Sequence, residues 1–183
     1  MYEGDEDRLD AAEQLAEYDP HAAAEAFSAI ASDQAVGDEV RLSAAEQLAD
    51  IDPRAAGPAG LAIARDEAVG DEVRLSAAEL IADGDAQSAT QACLAIARDG
   101  AVGDEVRLSA AGLIADVGPQ HAAPACLAIA RDETVGDEVR LSAAELLEDA
   151  DARAAGPAWL AIARDEAVGD EVRRSAAEHL VAP

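Results

Sequence analysis

Val36-Gly-Asp-Glu-Val-Arg-Leu-Ser-Ala-Ala-Glu46 decides the fold, because it comes back. It returns nearly letter for letter at Val69–Glu79, Val102–Gly112, Val135–Glu145 and Val168–Glu178. The starts at 36, 69, 102, 135 and 168 lie 33 residues apart. A worn copy, Gly4 to Glu13, opens the chain 33 residues before Gly37. A fixed period of this size is the signature of stacked repeats, here a solenoid whose core is shared between neighbours.

Outward from that stretch, each repeat reads as two helices. In the second repeat the first helix is expected at about Arg54–Arg65 and the second at about Asp71–Ala82. Asp-Glu-Ala-Val-Gly links them, and short turns such as Asp50-Ile-Asp-Pro53 lead into the next repeat. Pro and Gly punctuate these turns. The organisation is one domain: a half-repeat helix over 4–19, then repeats over 20–52, 53–85, 86–118, 119–151 and 152–183. Pro58, Pro124 and Pro157 fall early in their first helices, which should therefore begin late or bend.

The period of 3.6 residues sorts the second helix into two faces. Val73, Arg74, Ala77, Ala78, Leu80 and Ile81 share an apolar arc with an arginine set into it. Glu72, Ser76, Glu79 and Asp83 share the opposite face. Asp71 and Glu72 also stand at the helix N-terminus, where negative charge complements the dipole. The ends of the array differ from its middle: the repeated Val becomes Asp7 in the first copy, and the repeated Leu becomes Arg174 in the last. Both changes suit terminal repeats that face water.

The residues carry a family resemblance. Ala55-Ala-Gly-Pro-Ala-Gly-Leu-Ala-Ile-Ala-Arg-Asp66, followed by Asp71-Glu-Val-Arg-Leu-Ser-Ala-Ala-Glu-Leu-Ile81, resembles a HEAT-like repeat of the short bacterial type, similar to those of phycobilisome-lyase-like proteins. The likeness extends over five repeats and the opening half-repeat. It implies an all-α fold, an α–α solenoid of five 33-residue HEAT-like helical hairpins, with second helices lining the concave side. It also implies a ladder pairing Asp33 with Arg41, Asp66 with Arg74, Asp99 with Arg107, Asp132 with Arg140 and Asp165 with Arg173. Asp71 and its equivalents are alternative partners for the arginines. The Thr-Pro-Leu-His of ankyrin repeats and the Trp, Leu-Gly and Tyr set of tetratricopeptide repeats do not occur.

Charge narrows the partners. Thirteen basic residues, all Arg, face 39 acidic ones, for a net charge of −26. Such a balance opposes nucleic acid and anionic membranes and favours solubility. Self-repulsion at low salt predicts a fold that gains stability as salt rises. No apolar run approaches the roughly 18 residues of a membrane span, and the acidic N-terminus lacks a signal core; a cytoplasmic location, in keeping with reduced cysteines, and a monomer are the expectations. Cys93 and Cys126 hold the same place in consecutive repeats. Helices stack roughly 10 Å apart, while a disulfide needs Cα atoms within about 7 Å, so both should be reduced, buried and structural.

The candidate contact surface is the acidic stripe with a leucine rim: Glu39, Leu42 and Glu46; Glu72, Leu75 and Glu79; Glu105 and Leu108; Glu138, Leu141 and Glu145. Asp50, Asp83, Asp116 and Asp149 extend it. A charged helix face also serves solvation alone, and a neighbouring repeat can cover the leucines. Phe27, Gly60, Cys93, Cys126 and Trp159 form one column that changes size from repeat to repeat. It reads either as core adjusted locally or as a contact column, with Trp159 as an anchor if exposed. His21, His121 and His179 occupy different columns and read as surface residues. The acidic loops lack the Asp-x-Asp-x-Asp-Gly pattern of a calcium loop. No nucleophile, base and orienter assemble, and no phosphate-cradling glycine loop occurs.

The expectation is a binding scaffold, not an enzyme, with no cofactor or metal. Its partner would be a protein or peptide of basic character, not nucleic acid or membrane. A structural or sensor module of a larger signalling protein, a consensus-like engineered array, and a lyase-like or isomerase-like accessory are the alternatives.

Overall fold

The computed structural model describes residues 3–82 and 84–181, and these fold as helices joined by short turns, with no strand among them. The order is α1 (Glu3–Ala16), α2 (Pro20–Ser32), α3 (Asp38–Ile51), α4 (Pro53–Ala64), α5 (Asp71–Ala82), α6 (Ala86–Arg98), α7 (Asp104–Val117), α8 (Ala122–Arg131), α9 (Asp137–Arg164) and α10 (Asp170–Val181). Asp151 breaks α9 with φ −154° and ψ 89°, so that α9 holds the second helix of one repeat and the first of the next. The chain divides into two compact units, Met1–Ala92 and Cys93–Pro183.

Within the first unit, consecutive helices pack on one another, and so do alternate ones: α1 with α3, α2 with α4, and α3 with α5. Second helices therefore form one layer and first helices another. The core between them is built from Ala23, Phe27, Ile30, Ala44, Leu48, Ile63, Ala78 and Ile81. In the second unit α7, α8, α9 and α10 pack in the same sequential way around Cys126, Ile114, Ile129, Leu147, Trp159 and Ile162. Alanine-rich faces let the helices approach closely. Cys93 and Cys126 are buried thiols, and burial pushes the Cys126 thiol up to about 11.

Aspartate starts most of the first helices. Asp19 accepts the N–H of Ala22, Asp52 those of Arg54 and Ala55, Asp85 that of Ser88, and Asp151 that of Arg153. These bonds satisfy donors that a helix N-terminus leaves open. In the fourth repeat Gly118 takes this column and has no side chain to offer. There a short 3₁₀ turn, Pro119–His121, precedes α8, which starts late at Ala122. The prolines act unequally. The helix with Pro124 begins late as expected. Pro58, by contrast, sits inside a helix that begins on time at Pro53, and Pro157 lies inside α9. The carbonyls their missing N–H groups would have met belong to Arg54 and Arg153, exposed residues in the first turns that follow Asp52 and Asp151.

The arginine ladder exists in a different register from the implied one. Arg41 is buried, its Nε donating to the Ala31 carbonyl at 3.3 Å and its Nη1 to Asp66 Oδ2 at 3.0 Å. Arg8 reaches Asp33 at 3.0 Å, Arg107 reaches Asp132 at 2.9 Å and Arg140 reaches Asp165 at 2.7 Å. Each arginine thus bonds the loop aspartate 25 residues ahead, in the following repeat, not the one in its own. The cause lies in the loop. Oδ1 of Asp33, Asp66, Asp132 and Asp165 accepts the N–H two residues on, which turns Oδ2 toward the preceding repeat. Arg173 differs: it turns to Asp170 in its own helix, the alternative partner, and its Nε is buried with no acceptor.

A second set of bonds crosses between repeats. Gly37, Gly70, Gly136 and Gly169 donate their N–H groups to Oδ2 of Asp5, Asp38, Asp104 and Asp137, at 2.8 to 3.2 Å. The repeated Gly-Asp at the start of each second helix therefore joins repeats as well as starting a helix.

Candidate acidic interface

Three columns of aspartate are consumed by the fold, as caps, as arginine partners and as acceptors for glycine N–H groups. The glutamate columns are not. Glu39, Glu46 and Asp50 on α3, and Glu72 and Glu79 on α5, are exposed, and none accepts a hydrogen bond or ion pair. The same holds in the second unit for Glu105 and Asp116 on α7, Glu138, Glu145 and Asp149 on α9, and Glu171 and Glu178 on α10. Asp83 lies outside the described residues. Gly112 takes the place of a glutamate on α7 and has open space around it. In the first unit α3 packs beside α5, so their carboxylates share one face of one layer. The charge divides by column: the aspartates of the caps, the loops and the starts of the second helices build the fold, while the acids along the second helices' open face meet water.

The leucine rim is only partly available. Leu42, Leu108 and Leu141 are half-buried, while Leu75 is 7% exposed and belongs to the core. At that exposure Leu75 drops out of the contact surface. Asp7 and Arg174, the polar replacements in the first and last copies, are exposed.

The variable column is core. Phe27, Gly60, Cys93 and Cys126 are buried, and Trp159 is 2% exposed. Trp159 therefore cannot serve as a surface anchor. It belongs to a cluster in which its indole N–H donates to Glu148 Oε2 at 3.0 Å and its ring stacks on His179 at 4.1 Å and 15°. His179 Nδ1 lies 2.8 Å from the same Glu148 oxygen. His179 is thus half-buried and engaged, not a plain surface residue, whereas His21 and His121 are exposed. The column of Glu148 carries Ala49, Ala82, Ala115 and Val181 in the other repeats, and that of His179 carries Gln47, Leu80, Leu113 and Leu146. Three departures from the repeat meet in one place. Comparison of each histidine with its own column, not with the other histidines, reveals them.

A groove of about 690 Å³ opens on the first-helix layer of the first unit, lined by His21, Glu25, Ser28, Ser32, Ile51 and Asp52 among others. Ser28 and Ser32 stand where later repeats carry Leu and Arg, so the groove reflects two shortened side chains. Among the described residues no group of three His, Cys, Asp or Glu side chains is placed to hold a metal ion. None of the described helices is long and apolar enough to cross a membrane.

Comparison of the chain with protein-family models, with curated proteins and with solved structures finds no match.

Proposed function

We propose that this chain is an α-solenoid of HEAT-like helical hairpins that binds a basic protein or peptide through the carboxylate face of its second helices. The observation that carries the reading is the division of labour among the acids. Asp33, Asp66, Asp132 and Asp165 are tied to arginines, whereas Glu39, Glu46, Glu72 and Glu79 are exposed and unengaged. A row of unspent like charges on packed helices costs self-repulsion, and a cationic partner relieves it. Leu42 on α3, half-buried beside these carboxylates, adds apolar contact. The 33-residue recurrence and the sequential packing of the helices support the solenoid and its five repeats. A cytoplasmic location belongs to the same proposal.

The test is a titration with a fluorescent peptide of alternating lysine and leucine. Affinity should fall by at least about tenfold between about 0.01 M and 0.15 M salt, because screening shortens from roughly 30 Å to 8 Å. Replacing Glu72 and Glu79 by Gln should weaken binding at low salt. Affinity indifferent to both salt and substitution overturns the reading.

A further inference from the structure

The second unit carries the opposite chemistry on a different surface. Thirteen arginines stand among 39 acids in this chain; those of the buried ladder take carboxylates, whereas the column of Arg65, Arg98, Arg131 and Arg164 at the ends of the first helices does not. Arg131, at the end of α8, and Arg164, at the end of α9, are exposed and make no hydrogen bond or ion pair. Both line a groove of about 480 Å³ whose floor is Pro157, Leu160, Ala161 and Leu180. Leu160 is 37% and Leu180 39% exposed, two of the few large apolar side chains that face water among the described residues.

For Arg131 the lack of a partner has a cause in the repeat. The equivalent Arg65 donates to Gln91 Oε1 at 2.9 Å, in the repeat that follows its own. The column of Gln91 continues as Pro124 and Pro157, and proline has no side-chain acceptor. Arg131 therefore meets Pro157 where Arg65 meets an amide. The adjoining depression holds Glu133, Arg140, Asp165 and Glu166 beside the same two arginines. Asp165 is committed to Arg140, and neither glutamate pairs with Arg131 or Arg164. A cation at a helix C-terminus complements the dipole, which accounts for the arginines but not for the exposed leucines between α9 and α10.

We propose that this groove binds an acidic, apolar peptide segment of a partner protein, with a large apolar side chain on Leu160 and Leu180 and carboxylates on Arg131 and Arg164. A guanidinium takes a carboxylate through two parallel hydrogen bonds, which makes arginine the suited residue. The site is independent of the acidic face: it uses other residues and the opposite charge.

The probe is a fluorescent peptide of alternating glutamate and leucine, read by anisotropy. A glutamate–serine peptide and phosphatidylglycerol vesicles serve as comparisons. The glutamate–leucine peptide should bind, the glutamate–serine peptide should bind more weakly, and Arg131→Gln with Arg164→Gln should cost at least about tenfold in affinity. Glu72→Gln with Glu79→Gln should leave this binding in place. Amide resonances of the native chain give a readout free of any variant's folding: those around Leu160, Arg164 and Leu180 should shift on titration. Shifts confined to other residues, equal affinity in the arginine double variant, or vesicle binding without peptide binding overturn the proposal.

Discussion

Arg41 bonds Asp66, 25 residues ahead, at 3.0 Å, and leaves Asp33, the aspartate of its own repeat, to Arg8. The pair is nearly enclosed, and the Arg41 Nε is bound separately to the Ala31 carbonyl. Removing Asp66 strands a buried guanidinium, a loss that costs about 3 kcal/mol in such settings. A double-mutant cycle distinguishes the registers. Arg41→Met with Asp66→Ala should show a coupling of about 2 kcal/mol in urea denaturation, and Arg41→Met with Asp33→Ala a distinctly smaller one. Larger coupling to Asp33 would restore the pairing within a repeat.

The same aspartates set the response to acid. Hydrogen bonds from the Thr134 hydroxyl and N–H, with Arg107 beside them, hold the Asp132 carboxyl down at about 2, against 3.8 for a free aspartate. Asp66 and Asp165 are lowered by their arginines first, and Asp33 by the Ala35 N–H first and then by Arg8. A depressed carboxylate contributes stability that is fully present above its unfolded value, about 4, and is lost as pH falls through its folded one. Acid should therefore weaken the fold progressively between about pH 4 and 2. Thr134→Ala should raise the Asp132 value while leaving it depressed, as at Asp165, whose loop neighbour is Ala167. Carboxyl carbon NMR during an acid titration checks both statements. An unchanged Asp132 titration in Thr134→Ala would contradict the assigned cause.

The helices were legible because each carries its own signals. The second helix of the second repeat runs Asp71–Ala82 as read, its first helix starts one residue earlier than read, and the arginine set into the apolar arc is buried. The ladder register was not legible for a reason peculiar to repeats: Asp33 and Asp66 sit in near-identical contexts, so the pattern cannot say which of them meets Arg41. That depends on the offset between neighbouring repeats in space. The glutamate face followed from helical period alone. Leu75 did not, because helical period does not fix how exposed a residue is. The Glu148–Trp159–His179 cluster lay in departures from columns, a signal visible only after the columns are aligned.

Gly60 is the smallest member of the column that holds Phe27 and Trp159. A Cβ there would come within 2.5 Å of Ile81 Cγ2 and 3.1 Å of the Ala77 carbonyl. Ile81 is stiff at its first torsion in a helix, and the carbonyl is fixed by α5. Gly60→Cys, which copies the next two repeats, should thus destabilise by about 1–2 kcal/mol. The crowding outweighs the gain of up to about 1 kcal/mol from removing a helical glycine. Gly112 is the counterexample, with open space around it. Gly112→Glu should stabilise by a few tenths to about 1 kcal/mol. Thermal melts of the two variants should move in opposite directions.

Net charge of −26 with one face of unengaged glutamates makes the fold sensitive to screening. Melting temperature should rise as salt increases from near zero to about 0.15 M, where the screening length is about 8 Å. The gain should shrink in a variant with Glu72→Gln and Glu79→Gln, which removes part of the repulsion. A melting temperature flat or falling with salt would show that the columns do not repel appreciably in the folded state.

Trp159 is the only tryptophan, so its fluorescence reports on α9 and α10 alone. Glu148 accepts from its indole N–H and sits 2.8 Å from His179 Nδ1. Glu148→Ala, which returns the column to its common residue, leaves that buried N–H without an acceptor and costs about 1–3 kcal/mol. Glu148→Gln retains a carbonyl oxygen and should cost less. Packing here runs between helices adjacent or next but one in the chain, and in such arrays a local loss need not spread to the far end. In Glu148→Ala the urea midpoint seen by tryptophan fluorescence should consequently fall further than the midpoint seen by circular dichroism, which averages every helix. Coincident shifts of the two probes would mean that the chain unfolds as one cooperative block, and that the cluster stabilises all of it equally.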